Sequence, residues 1–141
     1  MNKATINRIV LQEMKSIYFD KNKPYTDWMG YRITEDNKPS YHHIEKRETL
    51  KKENKSIAAT VENGAYLGKH SHELLHRIEL VDLELYEAWN YLFLLINKMG
   101  CYPIDDVWTM VESLKEKSES LLSQDDRVLK RLKKEVAKSK M

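Results

Sequence analysis

The chain has 141 residues, one cysteine and a formal net charge of +2 at pH 7. This length is typical of one domain, residues 1–141, and the single Cys101 excludes both an intrachain disulfide framework and a cysteine-based zinc knuckle. Without a signal peptide or a run of about 18 apolar residues, we expect a cytoplasmic protein with no membrane partner.

The first half of the chain predicts one helix and a hairpin. Apolar residues recur at helical spacing over 3–19. The residues Trp28 to Ile33 and Tyr41 to Ile44 favour extended structure around a turn at 36–39, so we expect these two segments to pair. The polar stretch 47–60 predicts a loop.

The second half predicts a strand and then helices. Ala65 to Leu67, between two glycines, is typical of a strand followed by a turn. Helical spacing then resumes from Ser71, again after a cap at Asp82, and again after the acidic pairs at 105–106 and 125–126. The expected fold class is α+β: a small antiparallel ββα unit at about 28–80, wrapped by an N-terminal helix and by two or three C-terminal helices at about 82–138.

The five histidines all lie between Tyr41 and Glu79. His72 and His76 are one helical turn apart, so together they can bind one metal ion if a third ligand comes from outside the helix. His42 is the candidate for that ligand. His43 should point to the opposite side of the strand, because successive strand side chains alternate. We interpret His70 as a bystander.

This pattern suits the cleavage of a phosphodiester bond, which requires a base, a cation and donors that hold the phosphate. A neutral imidazole is a good base near pH 7, which suits His43. Asn63 can fix the loop geometry or orient His43. The cationic residues close by that could meet phosphates are Lys46, Arg47, Lys69 and Arg77.

Three stretches resemble the HNH endonucleases of the ββα-metal (His-Me finger) superfamily, and most closely short phage and mobile-element HNH proteins. They are His42-His43-Ile44, Asn63-Gly64-Ala65 and His72-Glu73-Leu74-Leu75-His76-Arg77-Ile78-Glu79. The resemblance covers residues 41–79. Two departures stand out: Glu45 replaces the usual proline after His-His-Ile, and the Cys-x-x-Cys pairs of many HNH proteins are missing.

The resemblance implies a role for each matching position. His43 matches the general base, Asn63 the middle letter of the motif, and His72 the metal ligand of the helix. His42 matches the metal-binding position before the base. His76 matches a further helical histidine that the nuclease colicins use.

Two other functions stay open. His72-Glu73-Leu74-Leu75-His76 also reads H-E-x-x-H, the zinc metalloprotease signature, in which Glu73 would activate water and Glu84 or Glu87 would complete the site. A ββα unit can also lose its activity and persist as a nucleic-acid or protein-binding module.

The function expected from the sequence is that of a metal-dependent HNH-type endonuclease that nicks DNA, with RNA not excluded. A three-histidine site favours Zn²⁺, Ni²⁺ or Mn²⁺, and Mg²⁺ is the alternative if His42 or His76 is not a ligand. The tail after residue 126 has seven Lys/Arg and one Glu. We interpret it as a solvated helix face over packed leucines rather than a DNA contact. A homodimer or a host-protein partner is left open.

Overall fold

The computed structural model describes residues 3–18, 26–44, 63–100, 105–122 and 126–139. This part of the chain has the expected α+β fold, with five helices around a two-stranded antiparallel sheet. In chain order the elements are α1 (Lys3–Tyr18), β1 (Pro39–His43), β2 (Gly64–Gly68), α2 (Lys69–Val81), α3 (Leu83–Met99), α4 (Asp105–Leu121) and α5 (Arg127–Ser139). None of the described helices has the length and apolar character that crossing a membrane requires. The predicted loop at 47–60 and Cys101 lie outside the described residues.

The sheet pairs β1 with β2, so that Tyr41 faces Tyr66 and His42 faces Ala65. The expected pairing of Trp28–Ile33 with Tyr41–Ile44 is therefore wrong. Residues 26–32 fold back on themselves instead, through an isolated bridge between Thr26 and Arg32.

The reason lies in Asp27 and Gly30. Gly30 has a φ of 87°, which bends the backbone in a way that a strand does not tolerate. The buried carboxylate of Asp27 accepts hydrogen bonds from the backbone N–H groups of Met29 and Tyr31 at 3.0 Å. These N–H groups are thereby used inside the turn and are not available to a neighbouring strand.

Helix α2, which carries His72 and His76, follows directly on β2 without the predicted turn. The N–H groups at its start are satisfied by the segment that precedes β1. Gly68 N donates to Asp27 Oδ2 at 2.8 Å, Lys69 N to the carbonyl of Lys38 at 2.6 Å, and His70 N to Asn37 Oδ1 at 2.9 Å. Because a helix leaves its first N–H groups without internal partners, these contacts hold the beginning of α2 against the sheet.

Gly68 is required at this junction by the close approach of Asn37. A Cβ atom at position 68 would overlap the side-chain amide of Asn37. The φ of Gly68 is −74°, which any residue can adopt, so packing and not conformational freedom selects glycine here.

Predicted helix ends are confirmed at three positions. Asp82 accepts a hydrogen bond from Leu85 N, and Gly100 ends α3 with a φ of 70°. Asp126 Oδ1 accepts from Val128 N and Leu129 N at the start of α5. Each contact satisfies backbone groups that a helix terminus would leave unpaired.

The core lies around α2. This helix packs against the sheet on one side and against α3 and α5 on its other sides. Helix α3 in turn packs on α4, where Trp89 Nε1 donates to Ser118 Oγ at 2.9 Å. The largest fully buried side chains are Trp28, Trp89, Tyr31, Tyr66 and Phe93. The leucines predicted beneath the basic tail are buried as expected, with Leu129 and Leu132 each 1% exposed.

Candidate metal centre

One nitrogen from each of His42, His72 and His76 lies within 4.8 Å of the others. His42 comes from β1, while the other two lie one turn apart on α2. The grouping follows from the packing of α2 on β1, with Ser40 Oγ 2.8 Å from His72 Nδ1 across that contact. These three residues, which the sequence predicts as metal ligands, lie close enough to bind one ion.

His42 is enclosed by rings. Its imidazole is 2% exposed and stands edge-on to the rings of His72, His76, Tyr86 and Phe93, with centroid separations of 5.2 to 6.2 Å. His72 is half-buried and His76 is exposed. The group therefore runs from the interior to the surface, and an ion bound there would have its deep side against aromatic rings and its outer side toward solvent.

Burial favours the neutral form of two of the three imidazoles, His42 and His72. Burial lowers the pKa of His42 to about 3, although its hydrogen bond to Asn90 opposes the shift and the other histidines add to it. Burial lowers the pKa of His72 to about 4, and the nearby His76 and His43 add to the shift. Since an imidazole must be unprotonated to bind a metal, protons do not compete at these two residues near pH 7.

Each of the three imidazoles already uses one ring nitrogen. His42 Nε2 lies 2.8 Å from Asn90 Oδ1, and His72 Nδ1 lies 2.8 Å from Ser40 Oγ. His76 Nδ1 lies 3.4 Å from Glu79 Oε1. Metal-binding histidines commonly hold the second ring nitrogen in this way, which fixes the ring and its tautomer. The three histidines could therefore hold a metal ion through the ring nitrogens that these contacts do not use.

His43 lies outside this cluster, on the side of β1 that it shares with Tyr41. The two rings meet edge to face with centroids 4.7 Å apart. His43 is half-buried, and its charged form disfavours protonation of both His42 and His72, which places it within electrostatic range of the cluster. The opposite orientation of His42 and His43 is what strand alternation predicts.

Asn63 lies immediately before β2, next to the end of β1. Its carbonyl accepts a hydrogen bond from Ile44 N at 2.9 Å, and Gly64 pairs with His43 in the sheet. The tight pairing depends on Gly64, since a Cβ atom there would collide with the ring of Tyr41. The sheet thus brings the predicted base and the predicted asparagine to the same end of the two strands.

The four cations expected to meet phosphates have different surroundings. Lys69 is exposed at the start of α2. Arg77 forms an ion pair with Asp126 at 3.0 Å, which joins α2 to α5. Lys46 and Arg47 lie outside the described residues.

Glu73, the carboxylate of the H-E-x-x-H signature, is not part of the histidine cluster. It lies 3.9 Å from His70 Nδ1 and 3.6 Å from Arg127. In the described part of the chain the third member of the cluster is His42, while Glu84 and Glu87 are exposed and do not join it. His70, the predicted bystander, is buried with Glu73 as its neighbour and is not part of the cluster.

Asn90 and Ser40 are contacts of the site that sequence reasoning missed. Asn90 lies 48 residues after its histidine, and its position within α3 carries no motif. Ser40 lies two residues before His42, where strand alternation places it on the same side of β1, so that periodicity was the one available signal.

No protein-family model, curated protein or solved structure matches this chain. The case for a function therefore rests on the arrangement of the histidines and on the residues around them.

Proposed function

We propose that this protein is a divalent-metal-dependent endonuclease of the HNH type, which hydrolyses phosphodiester bonds and nicks DNA. The observation that carries the proposal is the convergence of His42, His72 and His76, with His43 next to the cluster on the same strand. One histidine on a surface is commonplace. Three imidazoles from two elements, each with one ring nitrogen already in contact with a neighbouring side chain, have the composition of a metal site.

The chemistry follows from what each group can supply. The metal, when bound by His42, His72 and His76, would stabilise the negative charge that develops on the phosphate and on the leaving oxygen. His43 would accept a proton from the attacking water, as a neutral imidazole can near pH 7. Asn63 would fix the junction of β1 and β2 from which His43 projects.

The metal site also has an open side. Three protein ligands leave at least one coordination position to solvent or substrate, as in catalytic rather than structural zinc sites. The exposure of His76 puts that side at the surface, where a phosphate of a long polymer can approach. In the described part of the chain no carboxylate joins the three histidines, and this favours Zn²⁺, Ni²⁺ or Mn²⁺ over Mg²⁺.

The test is a nicking assay on supercoiled plasmid with purified protein, in EDTA and in Mg²⁺, Mn²⁺, Ni²⁺ or Zn²⁺. We expect metal-dependent nicking that is lost in His43→Ala while zinc binding is kept, and loss of both in His72→Ala. A matched control is His70→Ala, which removes a histidine of the same helix that is not part of the cluster and should leave nicking in place.

The alternatives predict other results. Folded, metal-binding protein that nicks with none of the four metals would overturn the nuclease proposal and support a binding module. Nicking that survives His43→Ala would leave the nuclease but remove His43 as its base. Hydrolysis of casein that Glu73→Gln abolishes would establish the metalloprotease instead.

A further inference from the structure

Helix α3 lies outside the ββα unit, yet it reaches the most buried histidine of the cluster. Asn90 is half-buried in the middle of α3, and its Oδ1 lies 2.8 Å from Nε2 of His42. The walls around His42 also include Tyr86 and Phe93, one turn before and one turn after Asn90. The helix therefore covers His42 with apolar rings and offers it one polar contact.

That contact decides which nitrogen of His42 can bind an ion. A neutral imidazole has one N–H and one lone pair, and a carboxamide oxygen only accepts hydrogen bonds. With Oδ1 of Asn90 against Nε2, the proton must be on Nε2 and the lone pair on Nδ1. The nitrogen that faces Asn90 is therefore the donor, and the nitrogen left for the cluster is Nδ1.

We infer that Asn90 is a positioning residue of the metal centre, which holds His42 as the Nε2–H tautomer so that Nδ1 binds the metal. This rests on the metal site of the proposed function and deepens it, because it makes α3 a working part of that site. Ser40 and Glu79 serve His72 and His76 from β1 and α2, the elements that carry the ligands themselves. Asn90 alone of these three partners comes from the helical extension.

The use of an amide rather than a carboxylate also has a physical reason. His42 is 2% exposed, and a charged group beside it would be costly to bury in the metal-free protein. Asn90 satisfies Nε2 without adding a charge, so the pocket can exist before the ion arrives. The contact between Asn90 and His42 is thus formed before a metal binds.

The experiment measures zinc affinity by chelator competition and the His42 tautomer by two-bond ¹H–¹⁵N spectra of the metal-free protein. We expect Nε2–H in the wild type, and zinc binding about 10- to 100-fold weaker in Asn90→Leu, which keeps the size of the side chain and removes the acceptor. Asn90→Asp keeps an acceptor and should bind zinc at least as tightly as the wild type. The matched control is Asn97→Leu on the same helix, since Asn97 donates to the carbonyl of Gly64 and not to a histidine. This variant should keep the zinc affinity of the wild type.

Three results would overturn the inference. An Nδ1–H tautomer in the wild type would mean that Asn90 does not select Nδ1 for the metal. Tighter zinc binding in Asn90→Leu would mean that Asn90 competes with the ion for Nε2. Equal affinity in Asn90→Leu and the wild type would mean that the contact does not position the ligand.

These readouts are separate from nicking. Protein that fails to nick DNA but shows the expected affinities and tautomer would overturn the nuclease proposal and support the role of Asn90. If the protein nicks DNA but the wild type and Asn90→Leu bind zinc equally well, the nuclease proposal is supported and the role of Asn90 is overturned.

Discussion

At the scale of single residues, burial of His42 and His72 disfavours their protonation. The pKa values of about 3 for His42 and about 4 for His72 lie well below the 6.5 of an imidazole in an unfolded chain. Between those values and 6.5, the unfolded chain binds protons at these residues and the folded chain does not. Acid therefore lowers the free energy of unfolding, and the folded protein has its full stability only above pH 6.5.

The metal-free protein should accordingly lose stability as the pH falls. Between pH 7.5 and pH 5.0, we expect His42 alone to lower the free energy of unfolding by about 2 kcal/mol, because the proton taken up on unfolding favours the unfolded chain. Urea denaturation in EDTA at the two pH values measures this difference. His42→Gln should show a smaller difference than the wild type, and an equal difference in both proteins would show that His42 titrates normally in the fold.

At the scale of elements, the start of α2 depends on a segment more than 30 residues earlier. Asp27 and Asn37 supply the acceptors that a local cap would normally provide, and both side chains are fully buried. Burial raises the pKa of Asp27, while hydrogen bonds from Gly68, Ser71, Tyr31 and Met29 oppose the shift. This carboxyl joins the turn at 26–32, the end of β2 and the start of the helix that carries two of the three candidate ligands.

Removing the Asp27 carboxyl should lower the free energy of unfolding of the protein. Asp27→Ala leaves the N–H groups of Met29, Tyr31 and Gly68 without their acceptor, and each buried unpaired group costs about 1–3 kcal/mol, so we expect a loss of at least about 3 kcal/mol. The free energy of unfolding from urea titration measures it. Asp36→Ala, an exposed acidic residue in the neighbouring turn, is the matched control and should change stability by about 0.5 kcal/mol or less. Similar stabilities for the two variants would contradict this role of Asp27.

At the scale of the whole molecule, the histidine cluster lies where β1, α2 and α3 meet. Its candidate ligands come from β1 and α2. Asn90, which contacts His42, comes from α3, and α2 is tied to α5 through Arg77 and Asp126. A ligand that binds only the folded chain stabilises it in proportion to its saturation. A metal bound here would thus act on the assembly of several elements and not on one loop.

Zinc should therefore raise the unfolding temperature of the intact protein. At a free zinc concentration 100 times the dissociation constant, the gain is about 2.7 kcal/mol, and EDTA should reverse it. Thermal unfolding followed by circular dichroism measures the shift. The shift should be missing in His72→Ala and present in His70→Ala, and a zinc effect of equal size in both variants would place the ion elsewhere.

The sequence predicts what depends on neighbours along the chain. Helical spacing places His72 and His76 on one face, strand alternation separates His42 from His43, and Asp82, Gly100 and Asp126 mark helix ends, all of which the structure has. What the sequence does not predict depends on distant contacts. Asp27 links the turn at 26–32 to Gly68 at the end of β2, 41 residues later, and the contact of Asn90 with His42 spans 48 residues.

A metal site made of three imidazoles also has an electrostatic consequence. Carboxylate-rich sites cancel most of the charge of the ion they hold, whereas His42, His72 and His76 contribute none. A divalent ion there would keep its positive charge at the surface edge of the protein, and Glu79 is an acidic residue that contacts one of its candidate ligands, His76. Such a centre would attract anions and repel a second cation. For the proposed nuclease, this would favour one-metal chemistry, and free phosphate should compete with the substrate.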